Sequence, residues 1–215
     1  MSKIKEIREA IDTKLDRWEA SATAFETQLQ QTEEQALAKL EVRKKKLNEA
    51  LDKFKSAVAK AKGIAEDKKK EIEAQFDDLQ VQLALGKAEA REAFEARRKK
   101  IEHSIATLEA TLDRHLDAAG KALDDSLHKA VDKYIAAEIE YEAVAEALEA
   151  RLFMKKVEAK AQFENKKKDL LAQISKFKTQ LQGKRSMAKD KAAAFEKELS
   201  AGISQIKQAF KKLAE

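Results

Sequence analysis

Helical periodicity runs through this chain with nothing to stop it. Ile4, Ile7, Ile11, Leu15, Trp18, Ala22, Phe25, Leu29, Thr32, Ala36 and Leu40 mark ten steps over 36 residues, or 3.6 residues per step. That is the repeat of an α-helix, so these side chains share one face. Phe195, Leu199, Ile203, Ile206, Phe210 and Leu213 take up the same period later in the chain. No proline occurs in 215 residues, where average usage of about 5% would give roughly ten. The commonest helix stopper is therefore missing. No segment alternates apolar and polar residues as a half-buried strand does. The fold class expected is all-α, an elongated bundle or coiled coil of long antiparallel helices.

Within that period a longer pattern occurs four times. An apolar residue and a Glu precede three basic residues, and a four-point apolar stripe follows. The glutamates are Glu41, Glu66, Glu95 and Glu164, and the triplets are Arg43-Lys44-Lys45, Lys68-Lys69-Lys70, Arg97-Arg98-Lys99 and Lys166-Lys167-Lys168. The stripes are Leu47, Leu51, Phe54 and Val58; Ile72, Phe76, Leu79 and Leu83; Ile101, Ile105, Leu108 and Leu112; and Leu170, Ile174, Phe177 and Leu181. Spacings of four, three and four put each set on one helix face. The repeats cover about 40–58, 65–83, 94–112 and 163–181 of what reads as one elongated helical unit over 1–215. Each repeat describes a packing face with a basic run beside it. None contains reaction chemistry.

Glycine is the remaining punctuation, at positions 63, 86, 120, 183 and 202. Each is tolerable inside a helix at roughly 1 kcal/mol. Gln182-Gly183-Lys184-Arg185-Ser186 also interrupts the apolar stripe, which makes it the best turn. The intervals from 63 to 120 and from 120 to 183 are 57 and 63 residues. Helices of that length would reach about 90 Å at ~1.5 Å per residue and would match one another as antiparallel neighbours. Turns are expected near 63, 120 and 183. Helices this long and amphipathic need partners, which one chain supplies in part, so a homo-oligomer is expected.

Charge is uneven along the chain. From Ile105 to Glu149 four basic residues stand against eleven acidic ones, a balance of −7. With a total of +5, the remainder carries +12. Turns near 63 and 183 would place Lys44 to Lys46, Lys68 to Lys70, Lys166 to Lys168 and Lys184-Arg185 toward one end, with the acidic segment at the other. The chain reads as having a basic pole and an acidic pole. The plainest use of the basic runs is as solvated helix faces paired within a turn, Glu66 with Lys70 and Glu95 with Lys99. Trp18 and, almost without exception, the nine Phe fall on stripes and are expected to pack.

Most other classes lack their chemistry here. His103, His115 and His128 stand 12 and 13 residues apart, too far for two to meet on one helical turn. Asp125 and His128 have the spacing of half a di-iron motif, but such a site needs two Glu-x-x-His pairs and two further carboxylates. No phosphate loop, dinucleotide fingerprint, nucleophile elbow or HExxH is present. No metal, cofactor, small-molecule substrate or catalytic residue is expected. Short basic runs before apolar stripes superficially resemble a bZIP arrangement, but Glu punctuates every run and the aromatics are committed to stripes, so nucleic acid is not the expected partner. No apolar run reaches the ~18 residues that span a bilayer. Met-Ser-Lys-Ile-Lys-Glu lacks a secretory apolar core, and no cysteine is present, so a cytoplasmic location is expected.

Two functions fit. The first is a non-enzymatic structural protein that self-associates through its apolar faces and complementary poles. The second is a peripheral protein of an anionic membrane or granule surface. In length, long helices and basic patches it resembles BAR-type crescents or phasin-type coats, with no motif specific to either. In both readings the basic interaction surface is the four triplets.

Overall fold

The computed structural model describes residues 3–62, 64–85, 91–118, 125–154, 161–185 and 192–213. Eight helices occupy them and no strand does. They are α1 (Lys3–Glu9), α2 (Ile11–Gln30), α3 (Glu33–Lys60), α4 (Glu66–Ala84), α5 (Arg91–Ala118), α6 (Asp125–Met154), α7 (Ala161–Arg185) and α8 (Ala192–Leu213). The all-α class is as the periodicity dictates.

The breaks agree in part with those expected. One falls at 61–65, beside Gly63, between α3 and α4. The turn expected near 120 lies outside the described residues, between the end of α5 and the start of α6. Near 183, α7 ends at Arg185 and α8 begins at Ala192, with 186–191 outside the described residues; Gly183 itself lies within α7. The stripe from Ile4 to Leu40 is also divided, at Ala10 and at Gln31-Thr32. At the second break, the Gln35 amide donates to Thr32 Oγ1 at 3.3 Å while the Thr32 amide donates to Gln35 Oε1 at 3.0 Å. This reciprocal capping box satisfies two otherwise orphaned helix-start amides, and Glu33 and Glu34 meet the positive end of the helix dipole. Thr32 is a stop signal that periodicity alone counted as a stripe position.

Among the described residues two glycines lie within helices, and they respond to opposite constraints. A Cβ on Gly183 would meet nothing within 4 Å, whereas one on Gly202 would lie 2.9 Å from the Phe177 ring. Gly183→Ala is expected to stabilise the chain by about 0.5–1 kcal/mol through helix propensity alone. Gly202→Ala gains the same propensity but drives into a buried ring, so its thermal midpoint should fall. Parallel melts of the two variants check this, and equal midpoints would contradict it.

The chain divides into two compact units, 1–10 with 41–141 and 11–40 with 142–215. In the first, Asp52 faces Gln80 and Lys55 faces Asp77, so α3 and α4 run antiparallel. Ser104 meets Asp78 and Arg114 meets Glu71, which sets α5 antiparallel to α4. Tyr134 reaches Glu109 on α5, and Arg43 reaches Glu140 on α6. The four helix segments thus close into an up-and-down bundle, with α1 laid against α5. Phe54 packs at its centre, 5.1 Å from Phe76 and 5.5 Å from Tyr134 between ring centroids.

In the second unit, α2 packs against α7 and α8, which also pack on each other. Phe25 and Phe210 meet at 4.7 Å, and Arg151 of α6 donates to the Gln28 carbonyl of α2. Leu29, Leu148, Ile174 and Ile206 are among the buried side chains of this unit.

Candidate functional site

All sixteen stripe residues of the four repeats are buried. Leu47, Leu51, Phe54, Ile72, Phe76, Leu79 and Leu108 have no exposed surface, and Ile101, Ile105, Leu170, Ile174 and Phe177 are within a few per cent of that. Three stripes, on α3, α4 and α5, lie in the first unit, and the fourth, on α7, lies in the second. The packing partner that the sequence sought in another chain is supplied for these faces within each unit.

The basic triplets behave differently from residue to residue. Lys45, Lys68, Lys70, Lys99, Lys166 and Lys168 are exposed, and Arg43, Lys69, Arg97, Arg98 and Lys167 are half-buried. Lys44 is buried, donating to the Leu85 carbonyl at 3.0 Å with Glu41 at 3.3 Å. Arg43 and Lys46 both turn to Glu140, at 2.5 and 3.6 Å. Lys69 meets Glu66 at 2.7 Å, Arg98 meets Glu102 at 2.7 Å and Lys167 meets Glu164 at 3.6 Å. Pairing within a helical turn is therefore the rule, but Glu66 takes Lys69 where the sequence suggested Lys70. The contact of Lys44 with Leu85 also moves one expectation. It sets the first triplet at the end of the α3–α4 hairpin away from its turn, whereas Lys68 to Lys70 open α4 beside that turn.

Part of the acidic segment is consumed inside the units. Glu140 takes Arg43 and Lys46, and Glu146 takes Lys207 at 2.8 Å. Glu138 is the more consequential case. α6 is buried on several sides, and among its buried positions Leu127, Val131, Tyr134, Glu138, Tyr141, Ala145, Leu148 and Leu152 advance by alternating fours and threes. This carboxylate thus occupies a core position of a heptad. It is fully buried and accepts from Arg8 of α1 at 2.6 Å. The same Arg8 nitrogen donates to Glu109 of α5, whose carboxylate also accepts from the Tyr134 hydroxyl at 3.3 Å. Burial works against the Arg8 charge, but Glu138 and Glu109 outweigh it and hold the guanidinium pKa above its ordinary value. Sequence reasoning did not find this cluster. The signal available was an acid at a heptad position otherwise filled by apolar side chains.

Burial is also the main reason that the Tyr134 phenol is pushed well above its usual range, with the Glu109 and Glu138 charges adding to it. A raised folded-state pKa stabilises the fold fully below the unfolded value of about 10 and ceases to do so as pH climbs past it. The parent chain should therefore lose thermal stability above about pH 10 more steeply than Tyr134→Phe. Melting both across that range, with phenolate absorbance followed in parallel, checks the sign.

Other polar contacts are local. Glu71 lies 3.1 Å from buried His115 Nε2 and 3.6 Å from Lys68, and the His115 hydrogen bond holds its carboxyl below the usual range. Asp77 and Glu73 raise the Lys55 ammonium. Between α3 and α4 a groove of about 410 Å³ is lined by Lys55, Lys69, Lys70, Asp52, Glu66 and Glu73 over Val58 and Phe76. Its cations and carboxylates are equal in number, so it favours neither charge. Among the described residues no three His, Cys, Asp or Glu side chains gather as metal ligands, and no helix is long and apolar enough to cross a membrane. No protein-family model, curated protein or solved structure matches this chain.

Proposed function

We propose that this chain is a non-enzymatic helical interaction protein of the cytoplasm that self-associates chiefly through charge. One contrast carries the reading: the repeats spend their apolar stripes on their own units while Lys45, Lys68, Lys70, Lys99, Lys166 and Lys168 remain exposed. The apolar half of the expected self-association has lost its surface to the core, so the contacts are assigned to the basic faces and the acidic segment of another copy. Buried Glu138 is engaged by half-buried Arg8 across helices, a use that fixes packing. The lipid-surface reading stands second. It is favoured by Val42, Val81 and Leu85, which are exposed on the α3–α4 hairpin toward the end that also carries Lys45. Exposed aliphatics beside lysines suit a headgroup boundary.

Sedimentation velocity at about 0.05 M and about 0.5 M salt, with and without anionic liposomes, separates the two. The expected result is association without lipid at low salt that is lost at high salt, and no added pelleting with liposomes. Pelleting that requires anionic lipid would replace the first reading with the second.

A further inference from the structure

We propose that the place on α5 and α6 where Arg8 docks is an interchain site as well, and that its other occupant is the α1 segment of a second copy of this chain. This deepens the self-association reading and rests on it, adding one specific contact to the charged surfaces. The site is chemically selective. Glu138, fully buried, and Glu109, mostly buried, converge on a single guanidinium nitrogen, with the Tyr134 hydroxyl on the same Glu109 oxygen. Ile4, 1% exposed, buries the apolar side of the same helix. A donor at one end and an aliphatic side chain one turn earlier describe the first ten residues of this chain, and every copy carries both halves.

The segment is also built to change hosts. At seven residues α1 is too short to hold its own helix in water, so folding and docking are one event wherever it docks. At Ala10, whose amide donates to the Ile7 carbonyl at 3.3 Å, the helix closes before α2 begins at Ile11. Residues 1–10 belong to the first unit and residue 11 opens the second. Exchange of an identical element is a low-cost route to a dimer.

Charge reversal in trans tests this on full chains. One carries Arg8→Glu, which its own carboxylates repel. The other carries Glu109→Lys with Glu138→Lys, which repels its own Arg8. Docking is then matched only between chains. At about 0.5 M salt, where association through the charged surfaces is lost, the expected result is that each alone sediments with the 24.2 kDa of one chain and a one-to-one mixture at twice that mass, with helicity by circular dichroism regained on mixing. Should the doubly substituted chain lose its helices when alone and when mixed, Glu109→Lys by itself, at a side chain 18% exposed, takes its place. A mixture that sediments as two monomers, while the parent still self-associates at low salt, overturns the interchain site and leaves the charged-surface reading intact. A parent that fails to associate in either salt overturns that reading instead.

Discussion

Phe76→Asp is expected to unfold the first unit's bundle at temperatures where the parent is stable. Phe76 has no exposed surface, and its ring stands edge-on to Phe54 at 5.1 Å. Phe54 in turn touches Tyr134 at 5.5 Å, so one ring on α4 supports contacts on α3 and α6. Removing a buried phenyl ring costs about 3–5 kcal/mol before any charge is considered. A carboxylate in its place must lose its hydration or take up a proton, which adds at least a few kcal/mol more. The sum is comparable with the whole stability of an ordinary domain, about 5–15 kcal/mol. Phe76→Leu, which keeps the site apolar, should cost roughly 1–1.5 kcal/mol. Denaturant unfolding of the three proteins measures both steps. A Phe76→Asp midpoint equal to that of Phe76→Leu would mean that this face is not buried.

The periodicity made the helices and their inward faces legible for a direct physical reason. Burial at spacings of four and three is what an amphipathic helix is, and Leu47 through Leu181 follow it without exception. Chain breaks were less legible because the signals were side-chain hydrogen bonds. Thr32 and Gln35 fit the stripe and the polar face equally well, yet their reciprocal bonds end one helix path and begin α3. Gly183 carried the opposite lesson: glycine permits a turn without demanding one, and no neighbour prevents α7 from passing through it. Segment 125–154 gave no stripe because alanines fill much of it and Glu138 stands in its heptad. The partner that makes that acid tolerable, Arg8, lies 130 residues away in sequence. Pairings of that separation follow from topology, which local spacing does not encode.

Arg8→Ala is the second large effect expected. It removes a side chain only 18% exposed, so packing of its aliphatic stem is lost along with the charge. The larger cost comes from what is left behind. Glu138, 1% exposed, would face Glu109 in the same cavity without the guanidinium between them. Breaking one side of a buried ion pair in this way destabilises by about 3–5 kcal/mol. The variant can recover part of it by protonating a carboxylate, which sets the sign of its pH dependence. A buried acid stripped of its cation has a folded-state pKa above the unfolded value of about 4.3. The stability tied to that proton is then complete below about pH 4.3 and is lost as pH rises through the higher folded value. The deficit of Arg8→Ala relative to the parent should accordingly widen from mildly acidic to neutral pH. Arg8→Leu with Glu138→Leu should restore most of the loss at pH 7, because apolar side chains of similar volume often replace a buried ion pair at little cost. If the single and double variants unfold together at every pH, Arg8 acts through its aliphatic stem and its charge is incidental to the fold.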